Sequence, residues 1–209
     1  VYVLCYHSFI GNSSLTTDFS NSEMLNQMNL LTNYGYQFVS LEDVLSNRIN
    51  GDNNILITID DANFSIADTY DQVFEPMGIE PVLFIYPAIV STMSYALTYD
   101  QILDIIGRGA SVGGHGYHHL FITEELYESD LTSFNREIYK CKRYIELNLN
   151  ITSDVYAYPY GEYSDITLEH LSLAGWKYAF NLDKRAFKTP IEEHHNPLEL
   201  PRYMLTRSN

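Results

Sequence analysis

The sequence predicts an α/β fold whose mostly parallel strands close into a barrel, with one domain spanning residues 1–209. Two observations predict it. Short apolar runs alternate with amphipathic segments throughout the chain, the pattern of a sheet built by strand–helix crossovers. The run Ile55-Leu56-Ile57-Thr58-Ile59 suits a strand covered on both faces, and it ends on two adjacent carboxylates, Asp60 and Asp61. In parallel α/β sheets, ligands and catalytic groups collect at such carboxyl ends. Neighbouring strand residues point to opposite faces, yet at a frayed end both can turn towards one cavity. Two acids there call for a cation or proton between them. A solvated turn or a helix N-cap would use the same pair.

Taken in order, Val1–Tyr6 reads as a buried first strand ending at His7-Ser8. Ser20, Asn21 and Ser22 offer N-caps for a helix with Met24, Leu25, Met28 and Leu31 at helical spacing, ended by Gly35; its methionines belong to the core. Gln37–Val39 is a short strand, and Ser40 to Asp43 opens a helix with capping-box spacing. Asn50 to Asn53 turns the chain into the central strand. A helix from Ile66 to Pro76, a strand from Pro81 to Tyr86 and a helix from Tyr99 to Ile106 follow. The segment Glu124 to Leu147 holds a long amphipathic helix, capped at Ser129 or Asp130. Val155–Tyr158 is a strand that breaks at Pro159-Tyr160-Gly161. Ser164-Asp165 caps a helix to Leu173, Lys177–Leu182 returns as a strand, and a last short strand lies near Leu200 to Leu205.

The net charge of −15 argues against a nucleic-acid partner, since no basic patch exists to neutralise phosphates. It favours a neutral or cationic substrate. The 18 tyrosines suit a groove that stacks on sugar rings and hydrogen-bonds their hydroxyls, and equally a core that borders water. Cys5 and Cys141 form no CxxC pair and are either free core thiols or one bridge. No run approaches about 18 consecutive apolar residues, so no membrane span is expected. The chain begins at Val1, which leads us to expect a signal or anchor outside it.

Gly113-Gly114-His115-Gly116-Tyr117-His118-His119 is the second informative stretch. His115 and His119 are four residues apart, so one helical turn or a tight loop brings both rings to one side. Two histidines plus a carboxylate make a standard catalytic-zinc ligand set with an open position for water and substrate. A surface or capping cluster is the plainer alternative. His118 reads as incidental, with the chemistry to substitute as a ligand.

The order Thr58-x-Asp60-Asp61, His115-x-x-x-His119, then Ala157-Tyr158-Pro159-Tyr160-Gly161 resembles the polysaccharide deacetylase family (NodB homology, carbohydrate esterase family 4). It is most similar to the branch that deacetylates poly-N-acetylglucosamine of bacterial biofilms. Further matching stretches are Tyr6-His7, Gly35-Tyr36, Val39-Ser40-Leu41, Leu97 to Ile102, Ala174 to Phe180 and Leu200-Pro201-Arg202. The resemblance implies a distorted (β/α)7-type barrel and a divalent metal, Zn2+ foremost, held by Asp61, His115 and His119. It implies Asp60 as general base, the Tyr160 N–H as an oxyanion donor and His7 as general acid. The implied reaction removes N-acetyl groups from an N-acetylglucosamine-containing polysaccharide or oligosaccharide and releases acetate, in a secreted, periplasmic or cell-envelope setting.

Several positions depart from the family pattern. Ala62 stands where the family has Gly, at a cost of roughly 1 kcal/mol if that residue needs a positive φ. Ala157 replaces the Arg that orients the base, and Arg202 is the residue that can reach Asp60 in its place. The family's C-terminal Leu-x-His and Asp-x-x-x-Trp motifs are absent, which leaves Trp176 as core rather than substrate wall. Two other readings follow: a carbohydrate-binding pseudoenzyme of the same fold, and a metal amidase acting on a non-sugar C–N bond.

Overall fold

The structure, a computed structural model, describes residues 1–208. Parallel strands form a sheet curled into a distorted (β/α)7 barrel with helices around it. The elements are β1 (Tyr2–Tyr6), α1 (Asn21–Asn33), β2 (Gln37–Phe38), α2 (Leu41–Leu45), β3 (Asn54–Asp60), α3 (Ser65–Thr69), β4 (Val82–Ile85), α4 (Tyr99–Gly107) and β5 (Ser111–Gly114). They continue as α5 (Glu124–Ser129), α6 (Leu131–Asn135), α7 (Cys141–Leu149), β6 (Val155–Ala157), α8 (Asp165–Leu173), β7 (Tyr178–Phe180), α9 (Ile191–His194) and β8 (Tyr203–Met204). The strand order is β7-β6-β5-β4-β3-β1-β8, with β2 also paired to β3. Every residue of β3 is buried, as its unbroken apolar run predicts. The ring closes through the segment from Leu200 to Met204, which bridges Phe180 of β7 at one end and pairs with Leu4 and Cys5 of β1 at the other.

Local signals set most boundaries. Ser20 and Glu23 form a capping box on α1, Ser40 accepts the Asp43 N–H on α2, and Ser164 with Thr167 caps α8. Met24 and Met28 are fully buried, whereas Leu25 is 38% exposed, so the core stripe of α1 is narrower than its apolar content suggests. The segment from Glu124 onward is not one helix. Asp130 caps at Ser133 N–H and separates α5 from α6, which runs through a π-helical turn (Arg136–Lys140) into α7. Ser129 instead ends α5. Trp176 is core, 2% exposed, with its ring beside Tyr156. Cys5 and Cys141 are both free and buried, which settles them as core thiols.

Strand parity decides what faces the barrel interior. Val3, Leu56, Val82, Phe84, Val155, Ala157, Phe180 and Leu200 pack into one inner cluster. Ile57, Ile59, Leu83, Ile85, Val112 and Tyr156 pack outward beneath the helices. The inner set continues at alternate positions to Cys5 on β1 and His7 just beyond it, to Thr58 and Asp60 on β3, and to Arg202. Gly113 pairs with Phe84 in register and also faces inward. A Cβ there would lie 2.5 Å from the Phe84 ring and 2.6 Å from the Val155 carbonyl oxygen. Gly113→Ala is therefore expected to lower the unfolding free energy in urea by about 1–3 kcal/mol, the usual cost of overpacking. Gly107→Ala, which meets open space, should leave it unchanged or slightly higher.

Candidate active site

Four strand ends supply the site, as the parallel topology requires. The pairing of Tyr6 with Ile59 sets His7 level with Asp60, one residue beyond each strand's last shared register. Asp61 would point away from the interior if β3 continued, but the backbone turns there. Asp61 has φ 73° and Ala62 φ 56°, both left-handed, and this brings Asp61 round to the cavity that Asp60 faces. Ala62 thus adopts the conformation in which Gly is the cheap choice, and its methyl is fully buried.

Asp60 is held by a buried ion pair. Arg202 donates from Nη1 to Asp60 Oδ1 at 2.8 Å and from Nη2 to Oδ2 at 3.0 Å. The same guanidinium donates to Thr58 Oγ1 at 3.2 Å and, through Nε, to the Asn181 carbonyl at 3.3 Å. Cys5 Sγ adds a 3.4 Å contact to Asp60 Oδ2. Burial alone would raise the Asp60 pKa, but Arg202, followed by His115 and His7, holds it well below the usual carboxylate range. Burial keeps the Cys5 thiol protonated, as the donor that this contact needs.

Asp61, His115 and His119 converge beside this pair. Asp61 Oδ1 lies 3.6 Å from His115 Nε2 and 3.5 Å from His119 Nε2, and the two Nε2 atoms are 3.1 Å apart. His115 Nδ1–H donates to the Ala157 carbonyl at 2.8 Å, which leaves the Nε2 lone pair facing the cavity. Burial lowers the pKa of His115 to about 3 and also lowers that of His119, so both rings are neutral at pH 7, the state in which imidazole ligates metal. Burial raises Asp61, and its Oδ1 is a buried acceptor without a hydrogen-bond partner. Two facing lone pairs and an orphaned carboxylate oxygen ask for a cation. Ligand atoms about 2 Å from a tetrahedral zinc lie about 3.3 Å from one another, which matches the three separations. The donor set fits a divalent metal.

The other expected residues fall into place unevenly. A ring nitrogen of His7, Cys5 Sγ and an Asp60 oxygen lie within 4.8 Å of one another, and His7 Nδ1 is buried without a hydrogen-bond partner. Tyr160 has φ 60° and its ring centroid lies 4.5 Å from that of His119, with Phe121 stacked on it at 3.9 Å. His118 is exposed and turned to Tyr117, outside the convergent set. His195 accepts the Lys188 N–H and sits by Phe187, whose own N–H reaches the Val1 carbonyl. That places His195 with its neighbour His194 at the amino end of the barrel, opposite His7.

Two buried carboxylates that the sequence reading passed over shape the loops around the site. Asp18 accepts the Ser8 hydroxyl and the N–H groups of Ile10 and Asn12, and so folds the loop that follows His7. Glu137 accepts backbone N–H groups from the loop that carries His119. The available signal for Glu137 was an acid on the apolar stripe of Phe134, Ile138, Cys141 and Ile145. Removing one partner of the Arg202–Asp60 pair leaves a buried charge unpaired. Arg202→Met should cost about 3–5 kcal/mol in denaturant unfolding, and adding Asp60→Asn should recover much of it.

The model of the polysaccharide deacetylase family matches residues 47–179. No curated protein is matched by the sequence. Among solved structures, the chain is similar to IcaB from Ammonifex degensii, at 22% identity and a TM-score of 0.82 over 99% of this chain and 92% of that one. It is similar to the deacetylase PplD from Streptococcus pyogenes, determined in complex with acetate, at 19% identity and 0.82 over 99% and 92%. A de-N-acetylase from Aggregatibacter actinomycetemcomitans follows at 15% identity and 0.80 over 98% and 94%. At these identities the structural likeness is one of fold, and the family match rests on the sequence itself. The chain belongs to the polysaccharide deacetylase family.

Proposed function

We propose that this chain is a metal-dependent N-deacetylase acting on an N-acetylglucosamine-containing polysaccharide or oligosaccharide outside the cytoplasm, in a secreted, periplasmic or cell-envelope setting. The observation that carries the proposal is the convergence of Asp61, His115 and His119 within 3.6 Å, beside an Asp60 kept ionised by Arg202. The family membership and the acetate complex of the fold neighbour PplD support it.

An acetamide is a weak electrophile with a poor leaving group. A divalent cation held by Asp61, His115 and His119, Zn2+ foremost, polarises the carbonyl and acidifies water when bound. Asp60 accepts the proton of the attacking water, and the Arg202 fork fixes which way its lone pairs point. The same fork makes Asp60 a weak base, so proton transfer relies on the water being acidified rather than on a basic carboxylate. The Tyr160 N–H is the donor assigned to the developing oxyanion. Water adds to the carbonyl carbon, the C–N bond breaks, and the nitrogen leaves as an amine only once it is protonated. His7 is the acid assigned to that step. The products are acetate and a free glucosamine, whose positive charge suits the acidic protein by long-range attraction.

The pseudoenzyme reading draws on Ala62 and Ala157. Ala62 nevertheless takes the left-handed turn, Asp61 still meets both histidines, and Arg202 does the orienting that Ala157 lacks the atoms to do. Acetate release from an N-acetylglucosamine oligomer, set against small non-sugar amides and measured with Zn2+ and after chelation, separates the three readings. Release from none of the substrates with Zn2+ bound would favour the pseudoenzyme.

Two variants assign the acids and bases. Asp60→Asn should retain about one equivalent of metal while turnover falls by roughly two to four orders of magnitude. Loss of metal from Asp60→Asn as complete as from Asp61→Asn would mean the two carboxylates had been assigned the wrong way round. His7→Ala should damage amide cleavage far more than cleavage of an aryl acetate, whose leaving group departs unprotonated. Equal losses on both substrates would make His7 a structural or substrate-positioning residue.

A further inference from the structure

The turn that carries His119 is built around a side chain from a distant helix. Glu137 is fully buried, and among the described residues no cation pairs with its carboxylate. Its Oε2 accepts the N–H of Tyr117 at 2.9 Å and of Leu120 at 3.2 Å. The His118 N–H is shared between Oε1 at 2.9 Å and Oε2 at 3.1 Å. Gly116 has φ 73° and His119 φ 63°, so a left-handed residue precedes the Tyr117 amide and another precedes the Leu120 amide, and the turn closes as a nest around the carboxylate. The fit is close on the glycine side, where a Cβ on Gly116 would collide with Oε2. Glu137 lies in the π-helical turn Arg136–Lys140, which inserts an extra residue into the helix and sets this acid on the buried face.

A buried carboxylate with no cation is costly unless hydrogen bonds satisfy it, and an apolar residue here would leave the Tyr117, His118 and Leu120 N–H groups without an acceptor. What the charge does here is hold a turn that a histidine would not adopt unaided. We propose that Glu137 is a positioning residue that sets the divalent-cation affinity of the site, by locking His119 in the left-handed conformation that brings its Nε2 to Asp61 and His115. The inference rests on reading Asp61, His115 and His119 as a cation site. It adds a determinant that none of those three ligands supplies.

The test uses the folded, metal-stripped protein, with Zn2+ affinity measured by chelator competition and coordination followed by the visible absorption of the Co2+-loaded form. Glu137→Gln keeps the reach of the side chain but turns a carboxamide NH2, a donor, towards a backbone N–H. Glu137→Asp keeps the charge and withdraws it by one methylene. Both should weaken Zn2+ binding about 10- to 100-fold, as loss of a partner behind a ligand does, and both should shift the Co2+ bands. Ile145→Val, a buried change on α7, should lower the melting temperature without moving either readout. A folded Glu137→Gln protein with wild-type Zn2+ affinity and Co2+ spectrum would overturn the proposal, whatever its melting temperature. So would failure of Glu137→Gln to fold with Zn2+ present, since Glu137 would then serve folding. If the wild-type protein binds neither ion, the cation reading fails and the inference falls with it.

Discussion

The ion pair between Asp60 and Arg202 is the constraint to which the rest of this barrel answers. Both side chains are buried, 2% and 0% exposed, where neither charge is tolerable alone. The guanidinium therefore sits where both its Nη atoms can be used, against both oxygens of one carboxylate, with Thr58 and the Asn181 carbonyl taking further N–H groups. Phe84 lies 5.3 Å beneath it and Ala157 is the small residue of the inner cluster on β6. In the family pattern an Arg occupies the position of Ala157. Here a cation reaches the same carboxylate from the segment that closes the barrel, and the inward position on β6 is left small.

The second constraint is backbone conformation. Asp61, Ala62, His119 and Tyr160 all have positive φ, and none of them is glycine. Left-handed conformation in such residues is unfavourable, and its clustering at one end of a barrel is a mark of a site that the surrounding structure over-determines. Three of the four have a neighbour that holds them. Asp61 N–H donates to the Phe84 carbonyl, Leu97 N–H donates to the Ala62 carbonyl, and the amides around His119 are gathered by Glu137.

The apolar runs and capping residues made the fold legible, because both act within a few residues of one another. β3, the capping boxes at Ser20 and Ser164 and the buried methionines of α1 all follow from local pattern. The break at Asp130 was legible as a cap but not as the end of a separate helix, since α5 continues the helical composition. In the site, the acid pair and the histidine spacing stood out because they are short in sequence. Arg202 was reachable only by asking what could replace a missing cation. Glu137 and Asp18 escaped because their partners are backbone amides, which every residue carries and no sequence distinguishes. The contact of Cys5 with Asp60 escaped for a related reason, as a thiol on a strand looks like any small apolar residue.

The seam of the barrel gives the molecule an order of events. Asp60 precedes Arg202 by 142 residues, and during synthesis the carboxylate emerges long before the guanidinium that pairs with it. Without the segment from Leu200 to Met204 between β7 and β1, Asp60 has no guanidinium partner and β1 has an open edge. A ring short of this one segment lacks the guanidinium that holds both oxygens of Asp60. Closure of the barrel and orientation of the Asp60 carboxylate are thus the work of one segment.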